Sequence, residues 1–159
     1  MSRRMKVEGS QDQKTPESSP PIVNSVAMRV LIADESSVMR RIVKNSLVNI
    51  GYDCAEILES SDGQDALKLI QGQPLDIVFL EWNIPNINGL ELVKQIRKEP
   101  QFTNLPLVMI TSVFERHNIM KAAKAGVDEY LIKPFSEEKL SEIMMRLESK
   151  NLLSGICED

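Results

Sequence analysis

Residues 75–89 read L-D-I-V-F-L-E-W-N-I-P-N-I-N-G, and this stretch decides the fold. Its apolar run stops abruptly at Glu81 and gives way to a Pro/Asn loop that ends at Gly89. A short apolar run bounded by turn residues is typical of a strand buried on both faces, as in a parallel sheet. Because open α/β sheets bind ligands outside the carboxyl ends of their strands, Glu81 is a candidate functional residue.

The length and composition predict one soluble domain. The chain has 159 residues, of which 42% are hydrophobic and 26% charged, and its net charge of -4 gives no reason to expect binding to nucleic acid or an anionic membrane. Cys54 and Cys157 stand far apart without metal-ligand spacing, which suits a reducing compartment. No secretory signal or membrane span is expected, so we predict a cytoplasmic protein without membrane insertion.

The two ends of the chain are predicted to lie outside the folded domain. Residues 1–26 are rich in Ser, Pro, Gln and charge, and they carry too little apolar surface to offset the entropy of ordering. We therefore expect a disordered N-terminal arm over 1–26, a domain over 27–148 and a tail over 149–159.

Five apolar segments alternate with five amphipathic segments between these ends. The predicted strands lie at 28–33, within 53–59, and at 75–81, 105–111 and 129–132. They read as continuously apolar, which favours a parallel sheet with helices on both faces, a doubly wound (βα)5 α/β fold.

The helices between the strands show clear apolar stripes. The third is predicted to begin near Gly89, with Leu90, Val93 and Ile96 facing inward. Arg40 and Arg41, on the first helix, are interpreted as part of a solvated face.

Polar residues gather at the carboxyl ends of four of the predicted strands: Asp34, Glu35, Glu81, Thr111 and Lys133. Three crowded carboxylates repel one another unless a cation shares the site. Mg²⁺ prefers oxygen ligands and commonly binds phosphate groups. Lys133 would balance the negative charge of the site, and Thr111 could hydrogen-bond a phosphoryl oxygen. Any single acid at a strand end has a plain solvated interpretation, but five residues of compatible chemistry favour a site.

Several motifs then resemble the receiver domains of bacterial two-component signalling, most closely the single-domain chemotaxis regulators. They are A-D-E-S-S-V-M-R-R-I-V at 33–43, E-W-N-I-P-N-I-N-G-L-E-L-V-K-Q-I-R at 81–97, L-V-M-I-T-S at 107–112 and A-G-V-D-E-Y-L-I-K-P-F at 125–135. The resemblance covers about residues 28–148 and implies the flavodoxin-like strand order 2-1-3-4-5.

The resemblance also implies a role for each matching residue. The expected cofactor is Mg²⁺, and a cis bond is expected before Pro134. The roles fall as follows: Asp34 and Glu35 hold the metal, Glu81 takes the phosphoacceptor position and contacts the metal, Asn83 offers its backbone carbonyl, Thr111 and Tyr130 form the switch, and Lys133 faces the phosphate.

Two positions depart from the family pattern, which has Asp where this chain has Glu35 and Glu81. At Glu35 the change keeps an anionic oxygen. At Glu81 it lengthens the acceptor side chain by one methylene, and three interpretations stay open. The longer carboxylate imitates the phosphorylated state by reaching toward Thr111 and Lys133, or it blocks phosphorylation, or it still accepts phosphate.

The resemblance finally implies signalling by protein contact rather than enzymatic activity. A sensor histidine kinase is the expected partner upstream in a phosphorelay. The expected output is a target protein, such as the flagellar motor switch, bound by the face of the fourth helix, fifth strand and fifth helix. The alternative is a flavodoxin-like enzyme or cofactor-binding protein. The two negative charges of Asp34 and Glu35 disfavour an anionic cofactor at that place.

Overall fold

Five parallel strands and five α-helices alternate over the described part of the chain, as predicted. The computed structural model describes residues 27–150 and 152–153, so the arm predicted over 1–26 and most of the predicted tail, including Cys157, lie outside the described residues. The strands are β1 (Met28–Ala33), β2 (Cys54–Ser60), β3 (Ile77–Leu80), β4 (Leu107–Thr111) and β5 (Glu129–Ile132). The helices are α1 (Ser37–Asn49), α2 (Gly63–Gly72), α3 (Gly89–Arg97), α4 (Arg116–Ala125) and α5 (Glu137–Ser149). The sheet order is β2-β1-β3-β4-β5, which confirms the expected fold.

Side chains cap the N-terminal ends of four of the five described α-helices. Ser36, Asp62, Asn88 and Ser136 each accept a hydrogen bond from a backbone N–H in the first turn of α1, α2, α3 and α5. These bonds satisfy donors that a helix start leaves without a partner. Because α1 and α3 follow β1 and β3 in the chain, their caps lie in the loops at the carboxyl edge of the sheet.

The core forms two layers, one on each face of the sheet. Alternate residues of β1, β3 and β4 point to opposite faces, so Val30 and Ile32 join the layer under α1 and α5, while Leu31 and Ala33 join the layer under α2, α3 and α4. Burial on both faces explains why the strands are continuously apolar in sequence.

Three details differ from the sequence predictions. The strands β3 and β4 begin two residues later than expected, at Ile77 and Leu107. On α3 the fully buried hydrophobic residues are Leu92, Val93 and Ile96, while Leu90 is only partly buried. The predicted apolar stripe was therefore wrong at one of its three residues. In the stretch predicted as a tail, Leu153 is buried in the α1/α5 layer, where it adds apolar area to the core.

Candidate functional site

A lysine joins two acids at the carboxyl edge of the sheet. Lys133 Nζ lies 2.8 Å from Asp34 Oδ2 and 2.8 Å from Glu81 Oε2. The neighbouring ends of β1 and β3 carry the two acids, each with only 7% of its surface exposed. Lys133 follows β5 and its side chain is 16% exposed. One ammonium therefore compensates two carboxylates that have little contact with water.

The remaining oxygens of both acids accept hydrogen bonds from nearby backbone. Asp34 Oδ1 accepts from the N–H of Ser36 at 2.9 Å. Glu81 Oε1 accepts from the N–H of Trp82 at 2.7 Å and from that of Asn83 at 3.4 Å. Every carboxylate oxygen of the pair is thus engaged, and the two side chains are held in fixed orientations.

The two acids decide the charge state of Lys133. Burial of the amine lowers its pKa, but hydrogen bonds and charges from Asp34 and Glu81 outweigh that cost, so the pKa of Lys133 is raised above its ordinary value of 10.5. Lys133 is therefore a cation at physiological pH.

Close backbone packing holds the loop that follows Glu81. The N–H of Gly89 donates to the carbonyl of Trp82 at 2.7 Å, and a Cβ at Gly89 would lie 2.4 Å from the carbonyl oxygen of Glu81. At the start of α2, a Cβ on Gly63 would lie 1.8 Å from the carbonyl oxygen of Ile87. Only glycine fits at these two approaches, of which that of Gly89 positions the backbone of Glu81 and that of Gly63 positions the backbone of Ile87.

Thr111 and Tyr130 meet at a residue that the sequence analysis did not single out. Thr111 is completely buried, and its hydroxyl oxygen accepts a hydrogen bond from the N–H of Val113 at 3.2 Å. The hydroxyl of Tyr130 donates to the carbonyl of Val113 at 2.6 Å. The side chains of the two predicted switch residues therefore hold the same stretch of the β4–α4 loop. A backbone contact of this kind leaves no mark in the identity of Val113.

The phenol of Tyr130 also senses the acidic pocket. Burial, then the negative charges of Glu81 and Glu115, raise the pKa of Tyr130 from 10 to about 12. The contribution from Glu81 links the predicted acceptor position electrostatically to the predicted switch.

The structure does not gather all the predicted metal ligands. Glu35 is exposed, and its carboxylate has no hydrogen bond or ion pair to a described residue. Over residues 27–150 and 152–153, no group of three or more His, Cys, Asp or Glu residues is placed to hold a metal ion. Asp34 and Glu81, with the backbone carbonyl of Asn83, are still hard oxygen donors, and Mg²⁺ often uses only one or two carboxylates with several waters. In donor chemistry these residues fit Mg²⁺.

Arg40 contributes to the site although the sequence analysis placed it on a solvated face. Its guanidinium donates to the carbonyl of Asp34 at 2.6 Å and to the carboxylate of Glu59 at 2.7 Å. Arg40 thereby ties the loop after β1 to the end of β2. Arg40 lies on α1, six residues beyond Asp34 and after the N-cap that turns the chain back along the sheet. No feature of the sequence alone identifies it as part of the site.

The parallel sheet of this order carries two paired acids and a lysine at its carboxyl edge, where open α/β sheets bind their ligands. Residues 30–145 match the model of the response regulator receiver domain, and the chain belongs to that family. A similar curated protein is the chemotaxis protein CheY homolog of Campylobacter jejuni, which is 39% identical over 116 residues, covering 72% of this chain and 88% of the relative.

Solved structures agree with this assignment. The chemotaxis response regulator CheY4 of Vibrio cholerae superposes with a TM-score of 0.68 at 28% identity, covering 76% of this chain and 98% of that one. The receiver domain of the sensor histidine kinase PA1611 from Pseudomonas aeruginosa, with a magnesium ion coordinated in its active site cleft, shares the fold at 22% identity, with a TM-score of 0.66 over 76% of this chain and 96% of that one.

The comparisons identify a signalling domain of the chemotaxis and two-component type. They do not favour the alternative of a flavodoxin-like enzyme or cofactor-binding protein. None of the helices in the described part of the chain is long and apolar enough to cross a membrane.

Proposed function

We propose that this chain is a response regulator that signals by binding partner proteins, with Glu81 at the phosphoacceptor position blocking phosphorylation. The observation that carries the proposal is the contact of Lys133 with both Glu81 and Asp34 at 2.8 Å. In this arrangement the carboxylate that would accept a phosphoryl group is already paired, and its partner also neutralises the neighbouring acid.

The position of the Glu81 carboxylate and the contacts that it already makes both oppose phosphoryl transfer to this residue. One additional methylene moves the carboxylate by about 1.5 Å, the length of a C–C bond. Phosphoryl transfer depends on positioning and charge stabilisation, and a misplacement near 1 Å costs on the order of 10²-fold in rate. The Oε1 atom also accepts from the N–H of Trp82 at 2.7 Å, so whichever oxygen attacked would have to give up a short contact.

Blocking is better supported than mimicry of a phosphorylated state. Mimicry calls for Glu81 to engage both Lys133 and Thr111. The contact with Lys133 is present, but Glu81 makes no hydrogen bond to Thr111 among the described residues. The Thr111 hydroxyl instead accepts from the N–H of Val113.

Mg²⁺ is part of the proposal as a ligand of the acidic pocket. Asp34, Glu81 and the carbonyl of Asn83 would hold the ion, with Glu35 reaching it through a water molecule. When bound, Mg²⁺ would neutralise negative charge on an incoming phosphoryl group. Lys133 would have to weaken its contacts with the two carboxylates, since its ammonium group already contacts Asp34 Oδ2 and Glu81 Oε2.

The proposed output surface is the face of α4, β5 and α5. Large apolar side chains stand exposed on or beside it, including Phe114 at 65%, Ile132 at 40% and Met145 at 61%. Exposed apolar groups of this size favour protein contact. A sensor histidine kinase upstream, a target such as the flagellar motor switch downstream, and a cytoplasmic role in chemotaxis complete the proposal. They rest on similarity to chemotaxis proteins.

Nuclear magnetic resonance tests the proposal by its effect on the switch. Amide spectra of the chain and of Glu81→Asp are recorded with Mg²⁺ before and after adding acetyl phosphate. We expect the amides near Thr111, Val113 and Tyr130 to shift in the Asp variant only. Equal shifts in the unaltered chain would show that Glu81 does not block the response.

A further inference from the structure

A groove runs between α3 and α4 and shares α4 with the face proposed for output. Leu90 and Lys94 line it from α3, and Lys121, Lys124 and Ala125 line it from α4. The groove encloses about 300 Å³. Its apolar floor comes from Leu90 and Ala125, both partly buried, while the three lysines stand exposed around it.

The groove is held open by a link between the two helices. Near the end of α3, the Arg97 guanidinium donates to the carbonyl of Gly126 at 3.0 and 2.8 Å, just beyond α4. The same side chain pairs with Asp128 at 3.0 Å and donates to the carbonyl of Phe102 at 2.7 Å. Because this arginine fixes the spacing of the helices, a ligand would meet a preformed surface and lose little free energy to ordering.

The positive charge of the groove has no partner within the described structure. The side chains of Lys94, Lys121 and Lys124 form no ion pair or hydrogen bond with any described residue. Helix α4 contains no acid from Arg116 to Ala125, and its first turn begins with Arg116, where the helix dipole disfavours a cation. The chain as a whole carries a net charge of -4, so this cationic surface opposes its overall charge.

Apolar surface continues beyond the lysines along α4. Met120 is 62% exposed and lies beside His117, Ala123 and Lys124 in an adjoining shallow depression. A methionine in such a place adapts its shape to an apolar partner. The surface therefore combines an apolar centre with a cationic margin, in the pattern that an acidic amphipathic helix complements.

We propose that the α3–α4 groove binds an acidic amphipathic segment of a partner protein. Apolar side chains of the segment would cover Leu90 and Met120, while its carboxylates would pair with Lys94, Lys121 and Lys124. Nucleic acid and anionic membranes fit less well, because three lysines around an apolar floor offer little charge to a polyanion. This site is independent of Glu81 and of phosphorylation.

The test uses two synthetic amphipathic helical peptides with the same leucine face. One has glutamates on its polar face, and the other has lysines at the same positions. Each is titrated into the isotope-labelled full chain while amide shifts are followed. We expect the acidic peptide alone to bind, with shifts centred on Leu90, Lys94, Lys121 and Lys124, and its affinity to fall as salt is added.

Two variants with equal charge changes provide the control. Lys94→Gln/Lys121→Gln/Lys124→Gln should bind the acidic peptide roughly tenfold more weakly because three exposed ion pairs are lost. Lys44→Gln/Lys68→Gln/Lys139→Gln, altered at exposed lysines elsewhere, should bind normally. The proposal is overturned if neither peptide shifts the groove, if both bind equally, or if both variants lose the same affinity. Groove shifts with phosphatidylglycerol vesicles or a DNA oligonucleotide, but not with the acidic peptide, would also overturn it.

Discussion

Lys133 Nζ lies 2.8 Å from Glu81 Oε2, and the same nitrogen lies 2.8 Å from Asp34 Oδ2. The residues come from the ends of three strands that are distant in sequence, so the site exists only when the sheet is assembled. Because the two carboxylates are almost completely buried, the stability of the fold depends on this amine to balance their negative charge. The same contact couples Glu81 to the fold and to any cation that enters the pocket.

Replacing the amine should destabilise the fold. We expect Lys133→Met to lower the free energy of unfolding by about 2 kcal/mol at neutral pH, below the 3–5 kcal/mol of a fully buried pair because Lys133 keeps some solvent contact. Urea denaturation measures the change. Lys139→Met, at an exposed lysine paired with Glu142 at 3.8 Å, should change stability by less than about 0.5 kcal/mol.

The stabilisation by Lys133 should depend on pH in a stated direction. Its folded pKa is raised, so its contribution is complete below the ordinary value of 10.5 and is lost as pH rises through the folded value. The stability difference between the unaltered chain and Lys133→Met should therefore shrink as the solution becomes strongly alkaline. A difference that vanished at neutral pH would contradict the assigned ion pair.

Removing the same amine should strengthen Mg²⁺ binding. The ammonium competes with a divalent cation for Asp34 and Glu81, so we expect Lys133→Met to bind Mg²⁺ about tenfold more tightly. Trp82, the only tryptophan of the chain, lies beside Glu81 and reports binding by fluorescence. Asp34→Asn is the matched control and should bind more weakly than the unaltered chain. Weaker binding in Lys133→Met would mean that the amine supports the metal site.

Tyr130 should ionise unusually late. In Tyr52→Phe, which leaves Tyr130 as the only tyrosine, tyrosinate absorbance should give a pKa of about 12. The folded pKa is raised, so the contribution of Tyr130 to stability is complete below pH 10 and is lost as pH rises toward 12. Adding Glu81→Gln should lower the pKa but keep it above 10, because burial is the larger cause. An unchanged pKa would contradict the electrostatic link.

Glycines at the two ends of α2 should respond oppositely to alanine. Gly63→Ala should cost more than about 2 kcal/mol in unfolding free energy, since its Cβ would meet the carbonyl oxygen of Ile87 at 1.8 Å. Gly72→Ala meets nothing within 4 Å and should stabilise the chain by about 0.5 kcal/mol. Denaturant titration compares them. Equal effects would mean that the approach of α2 to the β3–α3 loop is not tight.

The fold is predictable from the sequence because the signals for strands and for helix starts are both local. Continuous apolar runs such as Ile77–Leu80 identify strands buried on two faces, and caps such as Ser36 and Asn88 identify helix starts. The one-residue error at Leu90 has a physical cause. On a helix that packs against both the sheet and a neighbouring helix, two adjacent apolar stripes compete, and tertiary packing chooses between them.

The site is only partly predictable from sequence. The positions of the strand ends and the family resemblance predict that Asp34, Glu81 and Lys133 lie close together. The pairing of one amine with both acids is not predictable in this way, because it depends on side-chain length and burial. The exposure of Glu35 and the backbone contacts made by Arg40 and Val113 are likewise set by loop geometry. No residue type or spacing encodes such contacts.

Intact-mass analysis of phosphorylation tests the central claim most directly. The unaltered chain and Glu81→Asp are incubated with acetyl phosphate and Mg²⁺, and the fraction carrying one phosphoryl group is followed over time. The account predicts that the Asp variant gains phosphate at least on the order of 10²-fold faster, because its carboxylate returns to the geometry that transfer requires. Phosphate gain by the unaltered chain at the same rate as the Asp variant would contradict it.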